Sequence, residues 1–200
     1  FFGADNYNAG RLAGEALGAY VNDNWEGSAD AMLVLELPQS GPIPAARMQG
    51  MLEGYQDTVT TKLNDDQIIR LDSKNTQEEA FKVVGDSLAG IPDAKKIVAV
   101  TINDGTALGT IAAAEAAGRG DQIVVVGQGA DPSGQEEMVK ENSRYIGATG
   151  YFPEKYGFKL LPAMIDILEC RPVAPSIYVD HVFITKDNLC EFYSAEQEAF

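Results

Sequence analysis

Five short runs rich in β-branched residues recur along the chain, each followed by a stretch with helical spacing. The runs are Ala31–Leu37 (AMLVLEL), Gln67–Leu71 (QIIRL), Lys96–Thr101 (KIVAVT), Gln122–Gly127 (QIVVVG) and Tyr145–Ala148 (YIGA). The spacing predicts helices over Asn8–Val21, Ala45–Thr61, Thr76–Leu88, Thr106–Ala117, Pro132–Lys140 and Pro153–Glu169. Strands that alternate with helices of this length imply βαβ units and a parallel sheet. Runs such as IVVVG, apolar throughout, fit a sheet covered on both faces. The expected fold class is therefore α/β, a Rossmann-like parallel sheet flanked by helices. The alternation ends after Thr149, where Gly150–Pro153 and then Pro172–Tyr178 read as crossings or linkers.

The formal net charge of −15 argues against a nucleic-acid partner, which would need a basic face for the phosphates. No apolar run approaches the roughly 20 residues of a membrane span. The chain opens on Phe1-Phe2-Gly3 with neither an initiator Met nor a signal peptide, and so reads as a processed or truncated piece. Cys170 and Cys190 are too few for a disulfide framework or a zinc site, and no cofactor or metal is expected. One bridge in an oxidising compartment and two free thiols both remain open. The single histidine, His181, lies in the apolar run IYVDHVFIT and is expected to be a strand residue with a satisfied side chain.

In an open α/β sheet, ligands bind outside the carboxyl ends of the strands. The loops there read PQSGPIPAARMQG, DSKNTQEEA, INDGTALG, QGADPSG and GYFPEKYG. Their amides, Asn75, Asn103 and Gln128, both donate and accept hydrogen bonds. Arg47 offers a planar fork for two adjacent oxygens. Tyr151 can cover the apolar face of a ring, and Asp131 adds a carboxylate. This chemistry suits a neutral small molecule rich in hydroxyls. Each residue also has a local reading. Asn103-Asp104 and Asn75 can cap helices, Asp131 can cap one starting at Pro132, Arg47 can face solvent and Tyr151 can be core. Nucleophile elbows, phosphate loops and dinucleotide fingerprints are absent from the sequence. A small α/β enzyme with Asp104 and Asp131 as acid/base groups stands as a rival.

Taken in order, GADNYNAGRLAGEAL, SGPIPAARMQGMLEGY, NDGTALGTIAAAEAAG, IVVVGQGAD, GATGYFPEKYG and YVDHVFITKDN resemble the type I periplasmic sugar-binding proteins of ABC transporters, with the ribose-binding type as pattern. The effector-binding cores of lactose-repressor-type regulators share these landmarks and are the alternative. The resemblance implies two Rossmann-like lobes joined by three crossings, of which this chain carries the second. Residues 1–149 then form a ligand-binding lobe, and residues 150–178 a crossing and a helix that pack on the first lobe. Residues 179–200 form a returning strand and a C-terminal helix. By position, the resemblance assigns ligand contacts to Arg47 (in RMQG), Asn103 (in TINDG), Asn75 and Tyr151. The family's VGFDG is VGQGA here, with Gln128 in place of the phenylalanine and Gly129 in place of the aspartate, so Gln128 or Asp131 is expected to compensate. The implied partners are a sugar or polyol and a membrane permease, in the periplasm. One lobe alone is expected to bind sugar poorly. The stripe Tyr156, Leu160, Leu161, Met164, Ile167 and Leu168 is expected to seek an apolar partner, so that the helix is displaced, paired with a second copy or exchanged between copies. Pro162 within it removes one backbone donor.

Overall fold

Side-chain parity along each strand decides which helices cover which face of a sheet. In the computed structural model, which describes residues 1–193, the chain opens with β1 (Phe2–Gly3) and α1 (Asn6–Asn24). Then come β2 (Ala31–Glu36), α2 (Pro42–Thr58), β3 (Ile68–Asp72), α3 (Gln77–Gly90), β4 (Ile97–Thr101) and α4 (Asp104–Ala116). The remainder is β5 (Ile123–Gly129), α5 (Pro132–Met138), β6 (Tyr145–Gly150), α6 (Tyr156–Leu168), β7 (Ile177–Tyr178), β8 (Val182–Ile184) and α7 (Leu189–Phe192).

Five strands pair in parallel in the order β3-β2-β4-β5-β6, and β8 joins the β6 edge antiparallel. The order reverses between β2 and β4, which makes their carboxyl ends a topological switch point. Met32, Val34, Val98, Val100, Val124 and Val126 point to one face, where Ala13, Leu17 and Val21 of α1 and Met48, Met51 and Tyr55 of α2 cover them. Leu33, Leu35, Ile97, Ala99, Ile123 and Val125 point to the other, under Val84 and Leu88 of α3 and Ala107, Ile111 and Ala114 of α4. The continuous apolar runs therefore serve two cores at once. The parallel sheet flanked by helices is the fold class the alternation implies.

Several boundaries differ from the sequence reading, each for a local reason. α2 begins at Pro42, three residues before Ala45, because proline at a first helical turn gives up no hydrogen bond. α4 begins at Asp104 because Asn103 and Thr106 form a reciprocal capping box. β5 continues through Gln128 and Gly129, which still pair with Thr149 and Gly150 of β6. The strand read around Tyr178–Thr185 is two. β7 pairs with β1 in a separate two-stranded sheet, the chain crosses at 179–181, and β8 then pairs with β6. His181 thus sits in a crossing and not in a strand. Cys170 and Cys190 are both free and exposed, so no bridge forms. Of the C-terminal helix expected near the end, α7 is described and residues 194–200 lie outside the described residues.

α6 continues through Pro162 and buries none of its residues. Phe158, Leu161, Met164, Ile165, Ile167 and Leu168 are exposed on it, Phe158 and Leu168 by 82% and 80%. Among the described residues, no helix is long and apolar enough to cross a membrane.

Candidate functional site

The pairing of α1 with α2 sets the site's geometry. A Cβ on Gly10 would lie 2.0 Å from the Arg47 carbonyl oxygen, and one on Gly14 would lie 2.0 Å from that of Met51. On α2, a Cβ on Gly50 would meet the Tyr7 carbonyl at 2.1 Å. The two backbones are therefore in direct contact, an approach only glycine allows. That contact sets Asn6, in the first turn of α1, against Arg47. Asn6 Oδ1 accepts from Arg47 Nε (3.2 Å) and Nη2 (2.8 Å), and the Ile102 carbonyl accepts from Nη1 (3.1 Å). The guanidinium lies 5.0 Å from the centre of the Tyr151 ring. Arg47 is thus held at its edge by neutral oxygens and on its face by an aromatic, at the carboxyl ends of β4 and β6.

Tyr151 donates its hydroxyl to Gln128 Oε1 (2.8 Å), and burial pushes that phenol up to about 12. Its ring also meets that of His181 edge to face, with centroids 4.7 Å apart. His181 Nδ1 lies 3.3 Å from the Gly150 carbonyl, whereas its buried Nε2 has no partner among the described residues. The satisfied side chain expected of His181 is therefore only half satisfied. Burial, as the largest influence, holds the imidazole below its usual pKa.

Asn103 both caps and reaches outward. Its Oδ1 accepts from the Thr106 amide (2.8 Å), and its Nδ2 donates to Asn75 Oδ1 (2.8 Å). Asn75 is exposed, with φ +61°, and does not cap α3; Thr76 does. Asp131 stands at the start of α5, exposed, and its side chain makes no capping bond. Gln128 is buried, 1% exposed, with its Nε2 turned to the Ala9 carbonyl and Thr149 Oγ1 and its Oε1 accepting from Tyr151.

Asp104, read in the sequence with Asn103 as a candidate cap, is the first residue of α4 and is buried. Asp104 is 1% exposed and lies under the loop that follows β5. It accepts from the Asp131 amide (2.9 Å) and from the Tyr145 hydroxyl. Burial raises its carboxyl to about 6, against the opposing pull of those hydrogen bonds. A Cβ on Gly129 (φ +127°) would meet Asp104 Oδ2 at 2.4 Å. No side chain fits at that position, because the buried carboxylate already fills the space.

Arg47, Tyr151 and Gln128 thus form one cluster, and Asn75 with Asn103 a second. The two join through the backbone at Ile102, and Asp131 lies on the neighbouring loop. Asn6 and Thr149 complete the first cluster and escaped the sequence reading, although GADN, which contains Asn6, is among the motifs quoted above.

A family model described as "Periplasmic binding protein domain" matches residues 1–171. Among solved structures, an ABC transporter periplasmic solute-binding protein of Actinobacillus succinogenes with bound D-allose superposes with a TM-score of 0.76 at 20% identity. The match covers 96% of this chain and 62% of that one. A solute-binding protein of Agrobacterium vitis with bound allitol gives a TM-score of 0.75 at 21% identity, over 95% of this chain and 63% of that one. A solute-binding protein of Bacillus halodurans with bound myo-inositol gives 0.75 at 18%, over 96% and 62%. At these identities the likeness concerns the fold. The chain spans less than two thirds of the length of these structures. None of the curated proteins compared matches it.

Proposed function

The chain belongs to the periplasmic binding protein domain family, and from that footing we propose that it grips a sugar or polyol as one lobe of the solute-binding component of an ABC importer. Members of the family and the solved relatives above are solute-binding proteins and not enzymes. The observation that carries the proposal is Arg47, held on three sides at the carboxyl ends of the central strands. Three of its five N–H donors are occupied by Asn6 and Ile102. The remaining donors, with the Asn103–Asn75 amide pair and the Tyr151 ring, match a neutral guest that carries adjacent hydroxyls. The bound allose, allitol and inositol of the relatives have that chemistry.

In this reading residues 1–149 are the ligand-binding lobe. Residues 150–178 cross to the first lobe and carry α6, whose exposed apolar face is the surface that lobe covers; where it is missing, a second copy of the chain would cover that face. The protein works outside the cytoplasmic membrane beside its permease. Calorimetry on the protein with both lobes, titrated with D-allose, allitol, myo-inositol and D-fucose, tests the reading. Saturable binding to at least one is expected, and Arg47→Ala is expected to weaken it by more than tenfold, the range of a charge-assisted hydrogen bond. Absence of binding to all four, or an unchanged affinity in Arg47→Ala, refutes it.

A further inference from the structure

Every polar atom of the Gln128 amide is committed. Nε2 lies 3.3 Å from the Ala9 carbonyl and 3.4 Å from Thr149 Oγ1. The Thr149 hydroxyl spends its own proton on the same Ala9 carbonyl (2.8 Å), so it can only accept from Gln128. A backbone carbonyl can only accept as well. The amide is therefore fixed with its NH2 toward α1 and β6, which leaves Oε1 facing outward as an acceptor. The Tyr151 hydroxyl donates to that oxygen at 2.8 Å. Beyond the hydroxyl, the same ring lies under the Arg47 guanidinium, whose edge is held by Asn6 of α1. Ala9 and Asn6 are neighbours on one helix, so the chain of contacts closes on itself. It runs Ala9, Gln128, Tyr151, Arg47, Asn6.

We infer that Gln128 is a positioning residue, one that anchors Tyr151 by its hydroxyl and so fixes the aromatic surface that the ligand-binding cluster presents beside Arg47. The hydroxyl is spent on the protein. What Tyr151 offers a guest is therefore its ring, and the ring's pose is set from beneath by a buried amide. Polarity at position 128 is costly in a site 1% exposed. Two fixed partners, the Ala9 carbonyl and Thr149 Oγ1, hold the NH2 and aim the one remaining acceptor at the crossing that begins at Gly150. Tyr151 is the first residue after β6, on the crossing itself. Without the hydroxyl anchor, no hydrogen bond among the described residues would hold its ring, which packs against Arg47 and His181.

This inference deepens the binding role proposed above, but its test needs no ligand. In the intact protein, the Arg47 guanidinium signals are expected to be displaced upfield by the Tyr151 ring current, because the guanidinium carbon lies over that ring, 5.0 Å from its centre. Gln128→Leu, which keeps the bulk and deletes the acceptor, is expected to abolish that upfield displacement. Tyr151→Phe, which deletes only the hydroxyl, is expected to do the same. In the Tyr151→Phe background, Gln128→Leu should add nothing, because its effect runs through the hydroxyl already removed. A residue that merely filled space would change the spectrum equally in both backgrounds, and that result overturns the inference. So does an Arg47 signal that stays at its wild-type position in Gln128→Leu. Should Gln128→Leu fail to fold, Tyr151→Phe decides alone: loss of the upfield displacement supports the inference and its retention refutes it. A protein that bound none of the four test solutes would sink the proposed function and leave this readout intact.

Discussion

Asp104 gives the sharpest quantitative expectation. Its carboxyl is buried at the junction of β4 and α4 and titrates near 6, against an ordinary value of 3.8. The folded protein therefore holds this proton more tightly than the unfolded chain does. Between about pH 4 and pH 6 the native state binds more protons than the unfolded state, so this group's contribution to stability falls as pH rises. The contribution is complete below the unfolded value and is lost through the folded one. At 1.36 kcal/mol per unit, the two-unit displacement amounts to about 3 kcal/mol in all, and about 2 kcal/mol of it falls between about pH 4.5 and pH 7.5. Asp104→Asn removes the titration and keeps the shape. Its oxygen can still accept from the Asp131 amide, while its NH2 can donate to the Tyr145 oxygen. The assay is urea unfolding of both proteins at the two pH values. The stability of the variant relative to wild type should rise by about 2 kcal/mol from the acid to the neutral condition. Comparing the two proteins cancels the many surface carboxylates common to both. Two stability curves that run parallel with pH would refute the reasoning.

Three further outcomes follow from the same contacts. Gly14→Ala drives a methyl into the Met51 carbonyl, forces α1 and α2 apart and should cost about 3 kcal/mol, a fall in Tm on the order of 10 °C by calorimetry. Leu161→Glu with Leu168→Glu, both on exposed positions of α6, should leave the 200-residue chain within about 0.5 kcal/mol of its stability and reduce its self-association in sedimentation. In the two-lobed protein the same pair should be clearly destabilising. Titration of the 200-residue chain alone with the four test solutes should show far weaker binding than the two-lobed protein, because one lobe leaves the guest in water; equal affinity would contradict this.

Much of the fold was legible because two periodicities are written directly into the chain. Apolar runs without alternation, such as IVVVG, require cover on both faces, and only a parallel sheet with helices on each side supplies it. The amphipathic stripe of α6 was equally plain, because its positions recur at helical spacing whatever lies opposite. Ends were less secure. Asn103 and Thr106 cap α4 reciprocally, which moves its start to Asp104, and one strand was read where β7 and β8 belong to different sheets. Local spacing says nothing about which neighbour a strand will find.

The candidate site divides in the same way. Its general location, the carboxyl ends of the strands, follows from strand order and sequence alone, as do Arg47, Asn103 and Tyr151 as residues at those ends. Burial does not. Gln128 and Asp104 look like loop residues in sequence, yet each is 1% exposed, because the sheet continues past the point where its apolar run stops and α1 and α5 close over it. Asn6 reaches Arg47 only because Gly10 and Gly14 on α1 and Gly50 on α2, 36 to 40 residues apart in the chain, let the two helices touch. The amino-acid order thus determined the layers, the crossings and the rim from which a guest would be held, since these depend on hydrophobic period and turn chemistry. Only the packed structure decided which polar groups stay open at that rim and which are spent on one another, since desolvation and hydrogen bonding there depend on distances between residues far apart in the chain.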